Sequence, residues 1–171
     1  MALLKILQFP DPKLRLRAKE VKIFDRSLRN TCENMLETMY DAKGIGLAAI
    51  QVNILKRIVV MDLSENKNEP MFFVNPEIIK LSDDTKEYGE GCLSVPGIYE
   101  KVTRPNFLSA KYFDIDGCEH KLEADGLLSV CLQHEIDHLN GRVFVDHLSR
   151  LKQEKINRKL QKERKRLLAE A

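Results

Sequence analysis

No apolar run in this chain approaches the ~18 residues needed to cross a bilayer, which excludes a membrane-spanning helix. Met1 to Pro10 hold one lysine and a short apolar stretch that ends in Phe9-Pro10-Asp11-Pro12. They lack the apolar region and small-residue cleavage site of a secretory signal, so a cytoplasmic location is the expectation. Cysteine is scarce: four residues, at 32, 92, 118 and 131, form no C-x-x-C pair and follow no repeating spacing. Without an export signal, that pattern argues against a disulfide framework and makes each thiol, by default, a small buried hydrophobe. No internal repeat, low-complexity tract or glycine-serine linker divides the sequence, which leaves one domain over 1–171.

What is present suits an ordinary globular chain. Its 171 residues are 43 % hydrophobic and 32 % charged, enough for a single sizeable core, and the mean hydropathy is -0.33. Charge is unevenly placed. Between 150 and 166 stand nine Lys or Arg against Glu154 and Glu163, so this stretch carries +7 in a chain whose net charge is +2. A basic arm of this kind suits a polyanion such as nucleic acid. The plainer reading is a solvated helix over 148–169, anchored by a stripe of Leu148, Leu151, Ile156 and Leu160.

Periodicity predicts a helix over 25–42, with Met35, Leu36 and Met39 on one face and Asp25 or Ser27 as its cap. Strands are expected at 57–63, 71–75, 107–114 and 119–122, the last two joined at Asp116-Gly117. A second helix over 127–139 follows Asp125 and closes at Asn140-Gly141. Strands interrupted by a few helices, without regular alternation, argue for an α+β fold with mainly antiparallel sheet.

That second helix contains His134-Glu135-Ile136-Asp137-His138, an H-E-x-x-H motif. At about 3.6 residues per turn the two histidines stand one turn apart on one face, where both can reach a single ion. Glu135 is offset so as to face solvent at that ion rather than to bind it. Leu127, Leu128, Val130, Cys131, Leu132, Ile136 and Leu139 make the helix apolar almost all round. It is therefore buried, and a buried His or Glu needs a partner.

A catalytic divalent site typically takes three protein ligands. The metzincin third position holds Phe144, which cannot bind metal, and Glu154 and Glu163 sit among basic neighbours in the tail. Cys131 lies in one row with the histidines and cannot complete a tetrahedron with them. His147 is within reach in principle. Cys92, in Glu90-Gly91-Cys92-Leu93-Ser94, is preferred for its glycine and polar neighbours, ahead of Cys118 and His120 in a hairpin turn.

Gly44-Ile45-Gly46-Leu47-Ala48-Ala49-Ile50-Gln51 fits G-x-G-x-x-A, but a helix rather than a strand precedes it, which argues against a nucleotide cofactor. Its small residues, Gly46 among them, let the backbone approach a ligand or another segment, and Gln51 supplies an amide donor.

Gly44 to Gln51, Glu90 to Ser94 and Gln133 to His138 together resemble the three motifs of peptide deformylases, in the same order and with similar separations. Phe9 to Arg15 and Glu123 to Leu127 match as well, so the resemblance covers nearly the whole chain. It implies an α+β fold built around the H-E-x-x-H helix, and a cytoplasmic hydrolase that removes the formyl group from the N-terminal methionine of newly made proteins. It further implies that Cys92, His134 and His138 bind one divalent metal per chain, with iron(II) as the native ion and zinc admissible. Thiolate ligation agrees with softer metals.

Under that reading Glu135 is the proton carrier, and Gln51 and the Leu93 backbone N–H meet the oxyanion. Leu127, Val130 and Cys131 lie on the face of His134 and wall an apolar pocket for methionine, which Ile45 and Tyr88 complete by family analogy. Partners would be N-formylmethionyl nascent peptides and, through the basic tail, ribosomal RNA. One position departs from the family: many bacterial relatives carry an arginine seven residues after the metal cysteine, where this chain has Tyr99. Two further readings of the motif are a metallopeptidase and a non-catalytic metal module with an RNA-binding helix.

Overall fold

The computed structural model describes residues 2–170. Helix α1 spans Arg26–Asp41, and Asp25 caps it by accepting the Leu28 N–H at 3.0 Å. Its buried residues Leu28, Cys32, Met35 and Met39 recur at helical spacing. Seven strands follow: β1 Gly46–Ala48, β2 Ile58–Met61, β3 Met71–Leu81, β4 Thr85–Cys92, β5 Val95–Pro105, β6 Leu108–Phe113 and β7 Glu119–Ala124. Helix α2 is Gly126–Leu139 and α3 is Arg150–Glu170; 3-10 turns occupy Pro12–Arg15, Ala49–Val52 and Phe144–His147.

Five strands pair in the order β1-β2-β3-β6-β7, and β4 and β5 form a separate hairpin. Every ladder is antiparallel. The short apolar run of β2 is explained by burial on both faces. Ile58 and Val60 join the core formed with α1, whereas Val59 and Met61 join a second core with Leu132, Ile136 and Leu139 of α2. The sheet thus separates two helices, and α2 is held against β1 and the Ala49–Val52 turn.

Several expected boundaries move. Strand β3 continues to Leu81 instead of stopping at 75, although Asn75-Pro76 reads as punctuation. Asn75 adopts φ 51° at a register shift, and its side chain bonds both the N–H and the carbonyl of Val21 at 2.8 Å. A contact 54 residues away in sequence therefore pins the irregularity, which no local pattern reports. The β4–β5 hairpin was not anticipated, because 85–92 is rich in Gly, Glu and Lys and lacks the β-branched run that marks a strand. The stripe proposed for the basic helix also needs correction: Ile156 is buried and Leu160 packs on the core, but Leu151 is exposed and Leu148 precedes the helix.

Asp62, at the end of β2, has no exposed surface. Burial alone would raise its pKa, but donors from the Ser64 and Tyr40 hydroxyls and the N–H groups of Ser64 and Glu69 override this and hold it at about 2. An unfolded aspartate titrates near ~3.9. Its contribution to stability is therefore complete above about pH 4 and is lost as pH falls towards about 2. Denaturant titrations from pH 5 to pH 2 are expected to show falling stability in the native chain and a flatter dependence in Asp62→Asn; equal slopes would contradict this role.

Candidate metal centre

The helix spacing of His134 and His138 brings their Nε2 atoms within 3.2 Å of each other on α2. Cys92 ends β4, where the ladder shifts register between Glu90 and Cys92, so that Glu90 pairs with Glu100 but Cys92 pairs with Val95. Such a bulge re-aims a side chain, and the Cys92 Sγ stands 3.3 Å from the His138 Nε2. One donor atom from each of Cys92, His134 and His138 lies within 4.8 Å of the other two. Two imidazole nitrogens and a thiolate around one tetrahedral ion, bonded at ~2.0–2.1 and ~2.3 Å, would stand about 3.3–3.6 Å apart. The donor set and its spacing therefore fit a divalent transition metal.

A hydrogen bond orients one of the two imidazoles, whereas the His138 Nδ1 is buried without a partner among the described residues. The His134 Nδ1 is paired with Glu90 Oε1 at 2.9 Å, which leaves Nε2 for an ion. Burial works against a charged His134, but the Cys92 and Glu90 side chains reverse this and push its pKa well up, so the site favours positive charge there. His138 is pushed well down, by burial and by His134, and stays neutral. Glu90 accepts two bonds from Arg104, at 2.6 and 3.0 Å; Arg104 also reaches Asp137 at 2.9 Å, and Asp137 pairs with His147 at 2.9 Å.

Glu135 stands beside the donors, its Oε1 3.7 Å from the His134 Nε2. Its other oxygen is buried without a partner. Burial, partly offset by His134, pushes its carboxyl up to about 7. Gln51 accepts the Ala48 N–H through Oε1 at 2.9 Å, which turns its amide nitrogen towards Cys92 Sγ at 3.4 Å and Ser94 Oγ at 3.0 Å. Gly46 permits this crowding, since a Cβ there would stand 3.1 Å from Glu135 Oε1.

These groups open on one cavity of about 510 Å³, a size suited to a small ligand. Ile45, Gly46, Gln51, Tyr88, Leu93, Leu127, Val130, Cys131, His134 and Glu135 all line it, together with Cys92. The structure thus brings the whole set of sequence-derived candidates to one place, with His138 just behind. Of the weighed alternatives for the third ligand, Cys131 lines the same cavity and the others fall elsewhere. Cys118 and His120 sit at the β6–β7 turn, where His120 pairs with Asp114 at 2.7 Å, and His147 is bound to Asp137. Phe144 is buried with its ring 6.0 Å from that of His134. Burial pushes the Cys131 thiol up to about 12, as it does for Cys32.

Sequence reasoning missed Arg104. It is 3 % exposed, yet it lies on a strand that was not foreseen. Glu90 was legible only as a polar neighbour, although a strand reading would have placed it two positions from Cys92, on the same face.

The polypeptide deformylase family model matches residues 3–154. Peptide deformylase 1 of Pseudomonas syringae is 56 % identical over 165 residues, covering 96 % of this chain and 98 % of its own. The peptide deformylase of Pseudomonas aeruginosa is 57 % identical over 163 residues, covering 95 % and 97 %. The crystal structure of a peptide deformylase from Legionella pneumophila superposes with a TM-score of 0.92 at 47 % identity, over 99 % of both chains. One from Ehrlichia chaffeensis in complex with actinonin gives 0.91 at 41 %, over 95 % of this chain and 98 % of that one. Matched along nearly its whole length in sequence and in backbone, the chain belongs to the polypeptide deformylase family.

Proposed function

We propose that this chain is a metal-dependent hydrolase that releases formate from the N-terminal formyl-methionine of newly synthesised proteins. One observation carries the reading: a cysteine sulfur and two imidazoles converge beside a buried carboxyl group, one oxygen of which has no partner among the described residues, at the floor of a cavity. Cys92, His134 and His138 would hold the ion on the buried H-E-x-x-H helix. Iron(II) is our choice for the native metal, and zinc suits the same donors. When bound, the metal supplies Lewis-acid chemistry, lowering the pKa of water and polarising the formyl carbonyl.

The residues do the rest. Glu135 takes a proton from the attacking water, so that oxygen adds to the formyl carbon. The negative charge that develops on the formyl oxygen is met by the Gln51 amide and the Leu93 backbone N–H. As the C–N bond breaks, Glu135 returns the proton to the departing amine. Leu127, Val130 and Cys131, with Ile45 and Tyr88, take the unbranched methionine side chain. Among the described residues strand β1 is the edge of its sheet and β4 pairs only with β5, so an extended substrate can bond their backbone groups at Gly46 and along β4.

The direct assay is formate release from formyl-Met-Ala beside cleavage of unformylated Met-Ala-Ala, with metal analysis under anaerobic conditions. Formate from the first and no cleavage of the second is expected; cleavage of internal peptide bonds would favour a metallopeptidase. We place the enzyme in the cytoplasm as one catalytic unit, with α3 docking it on ribosomal RNA, since most of its basic side chains are exposed. Truncation after Leu151 is expected to weaken ribosome binding at ~0.1 M salt while formate release from small peptides persists; unchanged binding would reject the docking role.

A further inference from the structure

His147 has a place other than that of a ligand. It closes the Phe144–His147 turn, in which Phe144 and Val145 are buried and Asp146 is tied to Arg15 and to the Val143 N–H. The His147 side chain is 33 % exposed, and its Nε2 stands 2.9 Å from Asp137 Oδ2, the same oxygen that Arg104 Nη1 reaches at 2.9 Å. A carboxylate offers only acceptors, so the imidazole donates through Nε2. Arg104 carries the series on to Glu90, and Glu90 to the His134 Nδ1. An unbroken run of side-chain hydrogen bonds thus joins a partly exposed ring to a buried imidazole of the candidate metal centre. His138 has no counterpart, since its Nδ1 is without a partner among the described residues. Support of this kind reaches the centre from the His134 side.

We propose that His147 is a positioning residue for the metal centre: it fixes Asp137, so that the Arg104 fork stays aligned on Glu90 and the His134 ring keeps the direction an ion needs. The inference rests on the metal centre of the deformylase reading above. Arg104 serves two carboxylates at once, with Nε and Nη2 on Glu90 at 2.6 and 3.0 Å and Nη1 on Asp137. A guanidinium is a rigid plane, so a shift at one carboxylate tilts the bonds to the other. Glu90 is almost wholly buried and has little room to move, whereas the Asp137 side chain is 18 % exposed and can turn towards water. The His147 bond opposes that turn, and the Asp146–Arg15 pair keeps His147 itself in place. Partners outside the ligand set orient ligand rings and tune affinity in metal sites; His147 does so through three intervening side chains.

The test measures zinc affinity, by competition with a chromophoric chelator, in the native chain, His147→Phe and His147→Gln. Phenylalanine keeps a ring and loses the donor, whereas the glutamine amide nitrogen stands about where Nε2 does and still donates. His147→Phe is expected to weaken zinc binding by about three- to tenfold, the worth of one hydrogen bond, and His147→Gln should restore most of it. Melting temperatures of the three metal-free proteins should differ little. In an Arg104→Ala background His147→Phe should add no further loss, because the series is already cut. Native zinc affinity in His147→Phe, an equal loss in His147→Gln, a parallel fall in the metal-free melting temperature, or a full further loss on top of Arg104→Ala would overturn the assignment. A native chain that takes up no zinc would overturn the metal centre on which it depends, and zinc uptake without formate release from formyl-Met-Ala would overturn the deformylase reading alone.

Discussion

Glu135→Ala is expected to keep its metal and its fold while losing about 10²- to 10⁴-fold in kcat, the range for removing a positioned proton carrier. The side chain is 5 % exposed and has one oxygen without a hydrogen-bond partner, so it contributes little to holding the molecule together. What it offers is position: its Oε1 is 3.7 Å from the His134 Nε2, next to where solvent would be activated. Three measurements separate the alternatives. Metal content per chain should match the native protein, because Cys92, His134 and His138 are untouched. A thermal melt should shift little. Turnover of formyl-Met-Ala should collapse with only a modest change in KM. Full activity would remove Glu135 from the proposed mechanism, and loss of metal would make it a ligand instead of a base.

Arg104→Ala is the largest expected structural effect. Its guanidinium carries two bonds to Glu90 and one to Asp137, and Arg104 and Glu90 are both almost wholly buried. Removing it leaves two carboxylates in the interior beside the candidate metal ligands, with His134 and His147 as their remaining partners. Breaking a buried pair from one side costs about 3–5 kcal/mol. At roughly 2–4 °C per kcal/mol for a chain of this size, the midpoint should fall by the order of 10 °C. Because Glu90 orients the His134 ring, metal affinity should also drop by about 10- to 100-fold. A comparison is built into the molecule: Arg15 pairs with Asp146 at 2.5 Å in a far more exposed setting. Arg15→Ala should cost only about 0–1 kcal/mol. Equal melting temperatures for the two variants would show that the Arg104 network is not structural.

The two histidines of α2 could be read as a pair because a helix relates residues four apart by geometry that is independent of the rest of the chain. Helix α1 was legible for the same reason, although the choice between its two candidate caps, Asp25 and Ser27, fell to Asp25 only in the structure. Cys92 was harder. Its residue type and glycine neighbour made it the preferred third ligand, but the register shift that turns its sulfur towards His138 depends on the partner strand β5, which no local pattern announced. Gln51 shows the intermediate case. An amide donor at the end of a small-residue run was foreseeable, whereas its orientation required the Ala48 N–H and the Ser94 hydroxyl, the latter 43 residues away.

Periodicity and residue chemistry along the chain were enough for the antiparallel α+β class, the buried H-E-x-x-H helix and the types of group offered to a metal, because each depends on neighbours within about one turn or one strand. Tertiary packing decided which of four thiols meets the histidines, how Asn75 interrupts β3 through Val21, and that Arg104 neutralises Glu90 behind His134. Those outcomes are set by contacts between distant segments. Burial makes the cost of an unpaired charge or donor large enough to select one arrangement, and that cost arises only once the segments are packed together.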